Sequence, residues 1–195
     1  MYGHFSPEMK EMVKPYIQGK HVWDLGCGTM VHAMWCCQNK ASLVTAIDKS
    51  APALIPVEEK LFFIHQPFSQ VKVPGHIDVA WVSWPANYYC PGLLSLLKVA
   101  STIVYIGSNL NGNACGTLEL FRHFCQRPIL EHVQDYSNSF VIYGESANKS
   151  REEGLWEEYA AVWNRLEIQD FYDHARDIRP WSDWEKFSHM ASAAF

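Results

Sequence analysis

The stretch VWDLGCGTM, residues 22–30, most narrows what this chain can fold into. Apolar Val22 and Trp23 run into Asp24, and Gly26 and Gly28 then bracket Cys27 ahead of the helix-like segment VHAMWCCQNK, 31–40. Glycine weakens regular structure and is kept where the backbone must turn sharply or let a ligand come close. A buried strand that breaks on such a turn and re-enters as a helix is a β–turn–α unit, and SLVTAID, 42–48, supplies a second strand that ends on Asp48. The turn's backbone N–H groups are expected to face a nucleotide-like ligand at the helix start.

The alternation continues along the chain. EKLFFIHQPF (59–68) reads as a third strand and its exit, IDVAWVSWP (77–85) as a fourth, PGLLSLLKVA (91–100) as a helix and STIVYIGS (101–108) as a fifth strand. Strands apolar on both faces and separated by helices imply a parallel sheet covered on both sides, an α/β fold. A helix over 116–126 follows, and then ILEHVQDY and FVIYGES, joined across Ser137-Asn138-Ser139, have hairpin spacing. Ahead of the first strand, Ser6 as N-cap and Pro7 at the first helical position predict a helix that spaces Met9, Met12 and Val13 along one side.

A length of 195 residues suits one domain, divided as an N-terminal helix (1–21), a core (22–146) and a helical C-terminal extension (147–195). In the extension, Ser150 with Glu153 and Ser182 with Glu185 have capping-box spacing, and Leu155, Trp156, Tyr159, Val162, Trp163 and Leu166 form one apolar stripe. Six cysteines without a Cys-x-x-Cys pair, and no apolar leader, lead to the expectation of reduced thiols, no metal site and a cytoplasmic protein. The longest apolar run carries Lys98 in its middle, so no membrane span is expected. Residues 1–150 hold eleven basic and eleven acidic side chains, so the net charge of −5 resides in 151–195. Without a broad basic footprint, an extended nucleic acid duplex is not expected as a partner, whereas a single base is compatible.

Two ligand classes use a glycine turn after a first strand. The dinucleotide fingerprint Gly-x-Gly-x-x-Gly would need its third glycine at Val31, where a side chain is expected to obstruct helix–strand packing. The order acid, x, Gly, x, Gly at Asp24, Gly26 and Gly28 instead resembles the cofactor loop of class I (Rossmann-like) S-adenosylmethionine-dependent methyltransferases, with Met30 where that family often has a third glycine. The resemblance covers about Val22 to Ser146. It implies a three-layer α/β/α, Rossmann-like sheet of seven mostly parallel strands with an antiparallel last strand. It also implies S-adenosyl-L-methionine as cofactor, bound by Asp24, Gly26, Cys27 and Gly28 in the loop, and by Asp48 and Lys49 at the ribose. Gln66 and Phe68 would stand at the adenine and Ser83 at the far wall.

Beyond the fourth strand the chain reads VSWPANYY. This is similar to the (Asp/Asn/Ser)-Pro-Pro-(Tyr/Phe/Trp) motif of amino methyltransferases, with Trp84 in place of the first proline and Ala86 in place of the aromatic. The resemblance implies Ser83, Trp84 and Pro85 as the catalytic segment: the Ser83 hydroxyl and the Trp84 carbonyl accept hydrogen bonds from an amine and localise its lone pair. Trp84, Tyr88 and Tyr89 would line the substrate pocket, joined by Asn109 from the polar loop GSNLNGNACGT. His65 and Asp78 are the candidates for proton handling, and His32 and Cys36 are read as packing. The expected activity is methyl transfer to a nitrogen of a compact acceptor: a small molecule, a nucleobase or a side chain. A non-catalytic partner subunit of the same fold, or another reaction of the same cofactor, are the alternatives, and a homo-oligomer is compatible with either.

Overall fold

The computed structural model describes residues 5–85, 90–107, 116, 120, 123–124, 126–135 and 138–145. Its elements are α1 (Pro7–Ile17), β1 (His21–Leu25), α2 (Val31–Gln38), β2 (Leu43–Asp48), β3 (Leu61–His65), β4 (Ile77–Ser83), α3 (Leu93–Lys98), β5 (Ala100–Gly107), β6 (Ile129–Asp135) and β7 (Asn138–Tyr143). The strands form one sheet in the order β3-β2-β1-β4-β5-β7-β6. All neighbours from β3 to β5 are parallel, and β7 runs antiparallel between β5 and β6. This is the seven-stranded α/β architecture expected from the sequence.

The central strands are buried because each presents apolar side chains to both faces. On one face Leu25, Ala80, Val82, Ile103 and Tyr105 pack with Leu93, Leu96 and Leu97 of α3, and with Leu120 and Phe124. On the other, Val22, Val44, Val79, Trp81 and Val104 meet Met9, Val13 and Ile17 of α1, Met30 at the N-cap of α2, and Ala33 and Cys36 within it. The α1 residues recur at the helical repeat and are fully buried; each such side chain contributes roughly 1.5–3 kcal/mol. Ser6 caps α1 as its position suggests, accepting from the Met9 N–H at 3.2 Å.

Several boundaries differ from the sequence reading. The hairpin is tighter, because Asp135 pairs with Asn138 and Gln134 with Ser139, leaving two connecting residues where three were expected. Strand β3 stops at His65, since Pro67 leads into a single 3-10 turn over Phe68–Gln70. Helix α3 begins two residues late because Gly92 has φ +91°, and Ala100 already pairs with Ile77 in the sheet. Val31 corrects a reason rather than an element: it is 61 % exposed and obstructs no packing, so the dinucleotide reading has to be judged on other grounds. Of the helix expected over 116–126, Leu120, His123 and Phe124 are described as helical and buried. The C-terminal extension lies outside the described residues.

At the amino-terminal end of β5 a buried guanidinium ties the elements together. Arg127 is 2 % exposed. It donates to Leu97 O, Ala100 O, Ser101 O, Gly144 O and His123 Nε2, at 2.7 to 3.4 Å. Burial first and the adjacent Arg127 second hold His123 down to about 4, so its ring is neutral and can accept. Removing the cation strands several buried acceptors. Arg127→Met is therefore expected to cost at least about 3 kcal/mol of unfolding free energy in urea titration, far more than a surface Arg→Met change.

Candidate functional site

A cleft of about 350 Å³ opens at the carboxyl end of the sheet, where the strand order reverses between β1 and β4. That switch point is where open α/β sheets bind ligands. Leu25 and Gly26 form one wall, Asp48 and Lys49 another, Pro67, Phe68 and Ser69 a third, and Val82, Ser83, Trp84 and Pro85 the side toward β4, closed by Cys90, Pro91 and Leu93. The structure thus gathers Gly26, Asp48, Lys49, Phe68, Ser83, Trp84 and Pro85 of the residues singled out in the sequence, while Asp24, Cys27 and Gly28 lie outside this lining. Gln66 is exposed outside this lining, its N–H bonded to Asp48 O. Tyr88, Tyr89 and Asn109 lie outside the described residues.

The glycine turn is held differently from the expectation. Gly26 and Gly28 have φ of +81° and +50°, the left-handed region that favours glycine. A Cβ at Gly28 would meet nothing within 4 Å, and one at Gly26 only the Phe68 ring edge at 3.9 Å, so backbone conformation, not close approach, demands these two residues. The N–H groups of Gly26 and Cys27 both donate to Ile47 O, at 2.8 and 3.0 Å, and the Gly28 N–H donates to Asp48 Oδ2 at 3.0 Å. Asp48 Oδ1 accepts from the Ser50 N–H at 2.8 Å. These donors point into the protein rather than toward a ligand. Met30 completes the turn at φ 63°, adopting the conformation glycine would have and burying its side chain fully in the α1/α2 core.

Asp24 is fully buried near the first turn of α2, and among the described residues neither carboxylate oxygen is in a well-formed hydrogen bond, the Ala33 N–H acting on it only from nearby. Burial pushes its carboxyl up to about 7, the Ala33 backbone N–H offsetting part of the rise and Asp48 adding to it. Cys27 is buried as well, and burial, then Asp24 and Asp48, push its thiol far up, which keeps it protonated and unreactive. One acid, Asp48, thus lines the cleft beside Lys49, a second, Asp24, is buried behind the turn, and the N–H groups of Gly26, Cys27 and Gly28 are already used.

On the β4 side, Trp84 holds φ 50°, its N–H donates to Ile106 O at 2.6 Å, and its buried indole Nε1 has no partner among the described residues. Strain of this kind, on the order of 1–3 kcal/mol, accumulates at functional sites. Ser83 Oγ accepts from Trp81 Nε1 at 2.9 Å and lies 3.2 Å from His32 Nδ1. His32, read from the sequence as packing, does pack against Trp81 and Phe5 and in addition reaches Ser83 behind the cleft lining: α2 carries it across the sheet face to β4, a proximity invisible in sequence spacing. Asp78 leaves it. Its carboxylate binds the His21 N–H and His76 at the opposite end of the sheet. His65 ends β3 with Nε2 3.1 Å from Lys49 O, outside the cleft lining. Among the described residues no group of three His, Cys, Asp or Glu could hold a metal, and no helix is long and apolar enough to cross a membrane.

Gly92 is a further site residue that sequence reasoning passed over. A Cβ there would stand 2.4 Å from Phe68 O and 2.5 Å from Phe68 C, so this glycine lets the α3 entry close on the segment that carries Phe68 into the cleft. Gly92→Ala is expected to destabilise the fold by at least about 1–3 kcal/mol and to displace Phe68, visible as a changed environment in near-UV circular dichroism. Asp24 generates a pH dependence. An acid whose carboxyl is raised on folding costs nothing while protonated in both states; the cost grows from pH about 3.8 to about 7 and persists above. Asp24→Asn is expected to raise Tm at pH 8 and leave it unchanged at pH 4.

No protein-family model matches the chain, and no curated protein matches it by sequence. Solved structures do. A candidate RNA methyltransferase from Pyrococcus horikoshii is 15 % identical, with TM-score 0.55 over 73 % of this chain and 82 % of that one. A candidate S-adenosylmethionine-dependent methyltransferase from Listeria monocytogenes is 11 % identical, with TM-score 0.56 over 72 % and 97 %. The 1,6-didemethyltoxoflavin-N1-methyltransferase of Burkholderia thailandensis, solved with its substrate and S-adenosylhomocysteine, is 13 % identical, with TM-score 0.56 over 72 % and 78 %. The chain has the Rossmann-like fold of the class I S-adenosylmethionine-dependent methyltransferases.

Proposed function

We propose that this protein is an S-adenosylmethionine-dependent methyltransferase that methylates a nitrogen of a compact acceptor. One observation carries the reading: the N–H groups of Gly26, Cys27 and Gly28 are consumed within the protein, while Asp24 and Asp48 remain at the switch point. A pyrophosphate needs free N–H donors and is repelled by such acids. A cationic ligand bearing an ammonium group and a ribose diol suits them.

In this reading Asp48 keeps a lone pair on each oxygen for the ribose hydroxyls, beyond the bonds to Gly28 and Ser50. Asp24 offers its unpaired carboxylate to the amino-acid end through the turn. Lys49 and Gln66 border the ribose and adenine, and Phe68 packs against the base. The bound cofactor supplies a methyl group activated by a positively charged sulfur. Ser83, Trp84 and Pro85 hold the acceptor, with the Ser83 hydroxyl and Trp84 carbonyl taking its N–H bonds; Tyr88, Tyr89 and Asn109 complete the pocket. Holding two reactants in contact lowers a barrier by roughly 7–11 kcal/mol when they are well oriented, so a strong base is not required. Residues 147–195 would add a helical extension to this single domain and help select the acceptor.

The test is calorimetry with S-adenosylhomocysteine and S-adenosylmethionine. Binding is expected, and Asp48→Ala should weaken it by roughly 10- to 150-fold, the loss of hydrogen bonds to a charged group. No heat with either ligand at high micromolar concentration would end the reading. Formation of methylthioadenosine in place of S-adenosylhomocysteine, read by mass spectrometry, would replace methyl transfer by another reaction of the same cofactor.

A further inference from the structure

The hydrogen-bond chain from Trp81 through Ser83 to His32 runs from the core under α1 and α2 to the cleft wall. Trp81 is fully buried, and its indole N–H donates to Ser83 Oγ at 2.9 Å. His32 Nδ1 lies 3.2 Å from the same oxygen. The imidazole is held flat against the Trp81 ring, centroids 5.1 Å apart and planes at 25°, while Phe5 packs edge-on against both at 5.4 and 5.3 Å. These contacts fix the plane of the ring, and the contact to Ser83 Oγ distinguishes this orientation from the half-turn about Cβ–Cγ that would carry Nδ1 away.

A serine hydroxyl has one proton to donate and two lone pairs to accept with. Trp81 can only donate, so it occupies one lone pair. The tautomer of His32 then decides what Ser83 presents to the cleft. With the ring proton on Nε2, Nδ1 takes the hydroxyl proton and a lone pair is left over; with the proton on Nδ1, the hydroxyl is left free to donate.

We propose that His32 is a positioning residue that draws the Ser83 hydroxyl proton to its Nδ1, so that Ser83 offers the cleft a hydrogen-bond acceptor and the site selects acceptors that arrive with an N–H. The proposal rests on the methyltransferase reading. Burial first and Lys10 of α1 second hold His32 down to about 4, so the ring is neutral at ordinary pH and one nitrogen is free to accept. Lys10 is also the charged group that α1 brings to this corner, with its ammonium 5.5 Å from the Phe5 ring centre. The same arrangement gives Ser83 a set orientation at a motif position that takes an amide, a carboxylate or a hydroxyl. A lone serine would rotate between donating and accepting, whereas this one is fixed by two partners.

The probes are S-adenosylhomocysteine and sinefungin, an analogue that carries an ammonium group in place of the transferable methyl and so donates toward Ser83. In the wild-type protein, long-range ¹⁵N–¹H spectra of the His32 ring are expected to show a protonated Nε2 and a bare Nδ1; a protonated Nδ1 would overturn the proposal. His32→Leu keeps the apolar packing and deletes the acceptor, and should weaken sinefungin about tenfold while S-adenosylhomocysteine stays within about twofold. His32→Asn, which returns an acceptor near the Nδ1 position, should recover most of the loss, and Ser83→Ala should copy the leucine variant. Equal losses for both ligands, or none for sinefungin, would refute the positioning role while leaving cofactor binding intact. Failure of the wild-type protein to bind either ligand would instead remove the methyltransferase reading and this proposal with it.

Discussion

The end of β2 clasps the turn after β1. Ile47 O receives two N–H groups from Gly26 and Cys27, and the Asp48 carboxylate receives a third from Gly28 while also fastening the Ser50 N–H. Four donors that would otherwise face water or a ligand are satisfied by two consecutive residues. The turn is thereby fixed before any ligand arrives, α2 starts at a set angle, and His32 reaches β4. The clasp also shapes the site: with these donors spent, the turn itself offers an entering ligand no N–H from Gly26, Cys27 or Gly28, and Asp48 stands beside it.

The cleft is assembled from residues under conformational tension. Met30 and Trp84 both occupy the left-handed region that glycine tolerates and other residues resist. Met30 is offset by full burial of its side chain among Met9, Ala33 and Phe140 in the α1/α2 core. Trp84 has a backbone bond to Ile106 O and an indole nitrogen left without a partner among the described residues. One tension is absorbed by packing and belongs to the scaffold; the other persists at the cleft wall.

Much of this was legible in the sequence because periodicity and glycine placement are local signals. The β–turn–α unit from Val22, the acid that ends β2 and the proline-bearing exit of β4 could be read from runs of a few residues. The bonding of the turn could not. Whether the N–H of Gly28 faces a ligand or the Asp48 carboxylate depends on the register between β1 and β2, where Asp24 pairs with Ala46 and Leu25 with Ile47. His32 was passed over because its partner is 51 residues away on another element. Gly92 escaped notice for the same reason: its necessity lies in the Phe68 carbonyl that presses against it. Val31 erred in the other direction, a plausible clash that the helix turns out to solvent.

Arg127, at the far end of the strands, gives the molecule a polarity along the sheet. Its guanidinium is bound by carbonyls and a neutral imidazole, with no carboxylate bonded to it among the described residues, while Asp24 sits near the other end without a bonded cation. Positive charge is thus buried under the amino ends and negative charge under the carboxyl ends. A dry interior screens such a separation poorly, so each of these groups weighs on any charge that comes to lie between them.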